Sequence, residues 1–393
     1  MSMSVKRHLA IATCASLQRI LPARLQPWGW AVRSEVAAIP EDGPALLFAL
    51  QSVCGLTPRA IAIHWLSVSA KLTSRDAISS GGMINMSFFK DMAHRPRQVG
   101  IACAIGAVML GLTYMMFAGA PIAYLGVNMG ALAVGLMCLA LLSRFETGRE
   151  TWSGVITLVM AFALLATALV GERVEGAARW VDLGVLFVQP SLILLPVMIV
   201  GFACARNALS TIGLVVAAIA LAIQPDRAMA GMLMAGLAAL AVFRRDRFTI
   251  PALILSVIGF VATLAQADTL PAVPFVDQIF YTSFETGLIA GLAVLGGAIL
   301  LIVPAIIGGA CDKDNRQIYS VFGLVWLTAI AAAALGNYPA PVVGYSGGAV
   351  LGYVLSLAML PRVARSRASI EQAPESQRVS AESTNQSWRA ALA

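Results

Sequence analysis

Long uninterrupted runs of apolar residues, set apart by short charged segments, decide most of what this chain can fold into. A hydrocarbon layer about 30 Å thick is crossed by roughly 20 apolar helical residues. Lipid offers no partner to backbone N–H and C=O groups, so a crossing segment is a helix or part of a closed barrel. The runs do not alternate with a period of two, which selects helices. Hydropathy and length place about ten spans, at 98–119, 121–143, 152–171, 189–205, 207–223, 227–243, 248–266, 284–309, 317–336 and 344–361. Pro121, directly after Gly119-Ala120, suits a tight helical hairpin between the first two. Only 12% of the residues are charged and the mean hydropathy is +0.81, whereas a soluble domain carries about 25% charge. The expected fold class is all-α: a polytopic membrane helical bundle with a small cytoplasmic helical extension at its N-terminus.

Three parts follow from composition. Residues 1–97 are mixed and hold all three histidines, His8, His64 and His94. They read as short helices between proline and glycine turns, in a cytoplasmic or membrane-associated extension. Trp28, Trp30, Val36, Leu46, Leu47 and Phe48 could form a small core there or dock on the membrane surface; binding a cytoplasmic partner is the alternative. Residues 98–361 are the membrane unit, and the polar segment 362–393 reads as a disordered cytoplasmic tail. The first 25 residues lack the apolar core and small-residue cleavage site of a signal peptide.

Loop charge sets the orientation. Arg144, Arg149, Arg206, Arg244, Arg245, Arg247, Lys313 and Arg316 lie in alternate loops, and Arg362, Arg365 and Arg367 open the tail. The opposite loops carry Glu172, Glu175, Asp182, Asp226, Asp268, Asp277 and Glu285, with Arg173, Arg179 and Arg227 as their cations. The positive-inside rule puts the arginine-rich set, and with ten spans both termini, in the cytoplasm. The net charge of +7 then reads as attraction of juxtamembrane cations to anionic lipid. Neither an aromatic–basic face nor a zinc-finger spacing accompanies it, so no nucleic-acid partner is expected. The six cysteines, Cys14, Cys54, Cys103, Cys138, Cys204 and Cys311, show no metal-ligand spacing and read as free thiols. With no histidine beyond residue 94, a histidine-based metal site in the membrane is excluded.

The outward loops hold the informative residues. GAARW ends at Trp180, QPSL begins at Gln189 and QPDRAM at Gln224; VDQIFYTSFETGLIAGL begins at Val276 and PVVGYSGGA at Pro341. In this order, each at the same end of its span, these pieces resemble the SEDS family, the FtsW and RodA proteins of cell division and elongation. The likeness covers about residues 98–361. It implies a bacterial inner-membrane protein of peptidoglycan synthesis. Such a protein transfers a growing glycan from polyprenyl diphosphate to an acceptor sugar hydroxyl at the outer face. It implies as partners membrane lipid, the polyprenyl-diphosphate-linked precursor and a membrane protein of the envelope machinery.

By position in the motif Asp277 would be the catalytic carboxylate; its plainer reading is a solvated loop acid or a helix cap. Arg179 would bind phosphate, or else anchor a helix end beside Trp180. Asp226 and Glu285 are substrate-binding candidates against capping and interfacial readings, as are Tyr345 and Ser346 in a glycine-rich segment suited to a re-entrant turn or a small-residue helix contact. The chemistry leaves room for a divalent cation. The family pattern has a glutamate and a lysine where this chain has Leu192 and Leu195. Three readings therefore stand: a divergent glycan polymerase, a non-catalytic scaffold or precursor binder, and an unrelated small-molecule transporter.

Overall fold

The computed structural model describes residues 4–21, 25–49, 51–52, 95–143, 149–174, 176–182, 184, 187–266 and 270–362. The chain divides into two compact units, Met1–Phe89 and Lys90–Ala393.

In the first unit, α1 (Val5–Ile20) and α2 (Gln26–Ala38) pack with a helical stretch at 42–49. Ser4 caps α1 by accepting the Arg7 N–H, and Pro27 sits in the first turn of α2, where it gives up no intrahelical bond. Ala10, Cys14, Leu17 and Leu21 recur at helical spacing and bury against Val32, Val36, Ala45 and Ala49. Arg7 pairs with Asp42 at 3.1 Å and donates to the carbonyls of Val36 and Ile39, joining α1 to the end of α2. Of the six apolar residues singled out in this segment, Val36 is buried, and Leu46 and Phe48 pack partly against the core. Trp28, Trp30 and Leu47 stand exposed. Cys54, His64 and His94, the His8 side chain and the tail beyond 362 lie outside the described residues.

The second unit contains an apolar helix overlapping each of the ten expected runs, with ends that differ by a few residues. They are α3 (Pro96–Phe117), α4 (Ile122–Leu142), α5 (Arg149–Val170), α6 (Pro190–Cys204), α7 (Ala208–Ile223), α8 (Arg227–Phe243) and α9 (Thr249–Leu264). After a short α10 (Ile279–Thr286) come α11 (Leu288–Cys311), α12 (Arg316–Leu335) and α13 (Gly347–Leu357). Five, in α3, α4, α5, α11 and α12, are long and apolar enough to cross a membrane; α6, α7, α8, α9 and α13 are shorter.

Lipid gives no hydrophobic drive between helices, so close packing of small residues has to hold the bundle. Gly352 of α13 lies on the Leu192 carbonyl of α6, and Gly213 of α7 on the backbone of Thr157 in α5. The largest buried rings satisfy their polar atoms across helices: Trp326 donates to Ser356 at 3.3 Å and Tyr353 to the Leu301 carbonyl at 3.2 Å. Buried Arg97, in the first turn of α3, donates to the carbonyls of Ala358 (2.8 Å) and Leu360 (2.7 Å) just past α13. At the same end, Asp312 accepts from Asn315 and Tyr319.

Three local features depart from the hydropathy reading. The expected span 284–309 is broken at Gly287, whose φ of 151° and ψ of 157° are open essentially to glycine alone, so residues 279–286 form a separate helix. Glu285 therefore sits on that short helix and not at the end of a span. The last span begins only at Gly347, because residues 340–346 are buried without helix. The segment after α5 forms a small antiparallel sheet in the order β1 (Glu172–Val174), β2 (Ala177–Asp182), β3 (Phe187–Val188), with a turn at Gly176, where φ is +85°.

Candidate functional site

The site grows out of the loop between α9 and α10. The Asp277 carboxylate accepts the Val273 N–H at 2.9 Å while its own N–H donates to the Val273 carbonyl at 2.9 Å, so residues 273–277 close on themselves. Phe275 and Gln278 take left-handed backbone angles, φ +63° and +56°, and so does Val342 on the facing segment, φ +69°. Such angles cost bulky and β-branched side chains free energy, of order 1–3 kcal/mol each, and persist only where the surroundings over-determine them.

The over-determination is visible. Ala340 N–H donates to Val276 at 2.9 Å and Tyr345 N–H to Phe275 at 2.7 Å, which fastens the buried 340–346 segment to the Asp277 loop. Asn128 of α4 holds that segment from behind. Its amide donates to the Gly344 carbonyl at 2.7 Å and accepts the Ser346 N–H at 3.2 Å. Tyr124 stacks on Tyr345, centroids 3.9 Å apart, and meets Phe275 edge-on at 6.3 Å. The Val343 backbone lies directly on Gly111 of α3: a Cβ there would come within 2.7 Å of the Val343 Cα.

Asp277, Gln278, Thr282, Glu285 and Thr286 line one cleft of about 460 Å³, walled on its apolar side by Tyr114, Ala118 and Phe275. Burial pushes the Asp277 carboxyl above its ordinary value of 3.8, and the Val273 N–H returns part of that shift. A carboxylate of raised basicity beside a cleft of hydroxyls is suited to taking a proton from a bound alcohol.

A second polar cluster surrounds Asp226. Its carboxylate, wholly buried, accepts from Gln189 at 2.9 Å, from Ser191 at 3.0 Å and from the Met229 N–H at 3.3 Å, capping α8. Arg179, on β2 and buried, donates to the carbonyls of Gln224 and Pro225 and lies 5.8 Å from the Tyr338 ring centroid. Gln224 donates to the Leu164 carbonyl, and its buried Oε1 meets no donor among the described residues. The two clusters meet through one loop: Asn337, next to Tyr338, accepts from Gln278 at 2.8 Å and donates to the Leu270 carbonyl at 2.9 Å.

The residues named from sequence thus fall into three groups. Asp277 and Glu285 share the cleft. Tyr345 and Ser346 support its floor from the 340–346 segment. Arg179 and Asp226 build the turn at 224–226, with half-buried Trp180 next along β2 opposite Glu172. Leu192 and Leu195 are buried in the apolar core. Sequence reading passed over Asn128, Tyr124, Gln278, Asn337 and Tyr338. Only Asn128 had a signal, as an amide inside an apolar run, where a polar group needs a specific partner. Among the described residues, no three His, Cys, Asp or Glu side chains are grouped to hold a metal.

No protein-family model matches this chain, and no curated protein matches it in sequence. Among solved structures, it is similar to the rod shape determining protein RodA of Thermus thermophilus, with 17% identity over 66% of this chain and 93% of that one and a TM-score of 0.48. It is likewise similar to an aspartate-to-alanine mutant of that protein (18% identity, 66% and 94% covered, TM-score 0.48). A third likeness is to a chain of a peptidoglycan synthase complex that coordinates polymerization and crosslinking (20% identity, 66% and 94% covered, TM-score 0.49).

Proposed function

We propose that this chain is a divergent SEDS-type protein of the bacterial inner membrane, with both termini cytoplasmic, that polymerises a polyprenyl-diphosphate-linked glycan precursor at the outer face. The observation that carries the reading is Asp277: an acid at the matching motif position, raised in basicity by burial and facing a cleft, on a loop held in left-handed backbone conformation from two sides. In the reaction, an acceptor sugar hydroxyl gives its proton to Asp277 as its oxygen bonds to the anomeric carbon of the donor. The bond from that carbon to the diphosphate breaks, and the polyprenyl diphosphate leaves with the electron pair. Glu285, on the same cleft, is the second carboxylate. With the diphosphate oxygens, the Glu285 carboxylate offers oxygen donors that would suit a divalent cation, which would neutralise the leaving group while Asp277 serves as the base. Thr282 and Gln278 supply hydrogen-bonding groups for the acceptor sugar.

A second reading, a precursor-binding scaffold without polymerase activity, is favoured by a separate observation. The two positions that are charged in the family pattern are Leu192 and Leu195 in the buried core, and the Arg179 guanidinium is engaged by backbone carbonyls. The transporter reading finds less support. The buried charged residues among those described, Arg97, Arg179, Asp226, Asp277 and Asp312, sit at helix ends or in connecting segments, not at mid-membrane.

Polymerisation of purified lipid-linked precursor by the intact protein and by Asp277→Ala, at equal amounts in membranes, decides between them. Polymer from the intact protein alone supports the enzyme. No polymer from either, with precursor bound by both, supports the scaffold.

A further inference from the structure

We infer that the N-terminal helical unit is a membrane-surface anchor, seated on anionic lipid headgroups through the first turn of α2. The inference is independent of the proposed catalytic role. It starts from residues that the fold of the unit leaves unused. The packed stripe of α2 is Gly29, Val32 and Val36, and it is complete. Trp28 and Trp30 flank Gly29 on either side, 62% and 63% exposed, with Pro27 exposed beside them, while Leu47 on the neighbouring helical stretch is 58% exposed. By contrast, Trp326 in the second unit is wholly buried. Two exposed tryptophans around one helix end are the arrangement found where a helix end meets the headgroup layer, because the indole is apolar in body and polar at its N–H.

Charge points to the same occupant. Residues 1–89, the first unit, hold 8 lysines and arginines and 4 acids, a net charge of +4 within the +7 of the whole chain. Arg33 lies 5.9 Å from the Trp30 ring centroid, which places a guanidinium beside the aromatic turn. Clustered cations next to interfacial aromatics bind a negatively charged leaflet, and the attraction is screened by salt. The unit belongs to the same chain as the membrane-crossing helix that begins at Pro96, so contact with the surface is an intramolecular event.

The test uses the full-length protein in lipid nanodiscs containing phosphatidylglycerol, with acyl chains brominated near the headgroup or left unbrominated. The intact protein is compared with the double variant Trp28→Phe, Trp30→Phe, whose unfolding temperature is expected to be unchanged because both rings are exposed. The fluorescence removed by the two substitutions is the signal. It is expected to fall at least twofold with brominated lipid, to resist aqueous acrylamide, and to lose most of its bromine quenching in pure phosphatidylcholine discs. Free quenching by acrylamide without a bromine effect overturns the inference, since the turn is then in water. Shielding from both quenchers overturns it too, since the turn is then packed on protein. Equal bromine quenching in the two lipids overturns the role of headgroup charge.

Discussion

Asp226 and Asp277 are the same residue type, belong to the same set of loops and are both buried, yet the structure treats them differently. Asp226 is enclosed: Gln189, Ser191 and the Met229 N–H surround its carboxylate, and no solvent reaches it. Asp277 accepts one hydrogen bond, from Val273, and borders a cleft. An acid whose lone pairs are filled by fixed donors caps and fastens. An acid with capacity left over, on a loop held from two sides, can accept a proton. Motif position makes Asp277 the catalytic candidate and Asp226 a substrate-binding one against a capping reading; the number of donors is the physical difference between them.

The contrast breaks most sharply at Asp277 itself. Asp277→Asn keeps an oxygen for the Val273 N–H but cannot act as a base, so polymerisation is expected to fall by about 10²–10⁴-fold, with no loss of thermal stability. The pH dependence sharpens the point. Because burial raises the folded-state pKa of Asp277, its contribution to stability is present below the unfolded value and lost as pH rises through the folded one. Activity runs the opposite way, falling as pH drops, with its midpoint above the ordinary 3.8. A pH–rate profile beside pH-dependent melts of the intact protein and Asp277→Asn tests both signs.

Asp226→Ala should do the reverse. It leaves the buried Ser191 hydroxyl without its carboxylate acceptor, at about 1–3 kcal/mol, and Gln189 with only its bond to Ser191, so the melting temperature falls while activity per folded molecule is kept. Loss of activity in proportion to Asp277→Asn, at an unchanged melting temperature, would erase the distinction. Asn128→Ala is expected to have the smaller effect, about 1–3 kcal/mol, because the Gly344 carbonyl and Ser346 N–H lose one shared side chain. Its diagnostic is a drop in the polymerisation rate without a change in precursor affinity, since the residue acts through the loop and not on the ligand.

Much of the bundle was legible in the chain because lipid imposes a single rule, and apolar runs such as 98–119 and 317–336 follow it directly. What escaped was local. Gly287 sits inside an apolar run that hydropathy scores as continuous, yet its backbone angles end one helix and start another. Hydropathy counts residues 344–346 in the last span, but the hydrogen bonds from Ala340 and Tyr345 to the facing loop hold this segment in another shape. At the site, the motif carried Asp277 and Glu285 because their position along the chain is the signal. The residues that support the site, Asn128 and Tyr124 on one helix, Asn337 beside the Asp277 loop and Tyr338 beside Arg179, are distant in sequence and have no spacing to read.

The Arg97 contact has a consequence for biogenesis. Its acceptors lie about 260 residues further along, just past the last described helix of the bundle. During synthesis α3 therefore emerges before the carbonyls that Arg97 bonds in the finished bundle have been made. Closure of the first turn of α3 against the end of the bundle thus depends on the chain having been made at least as far as Leu360, since the acceptor carbonyls belong to Ala358 and Leu360.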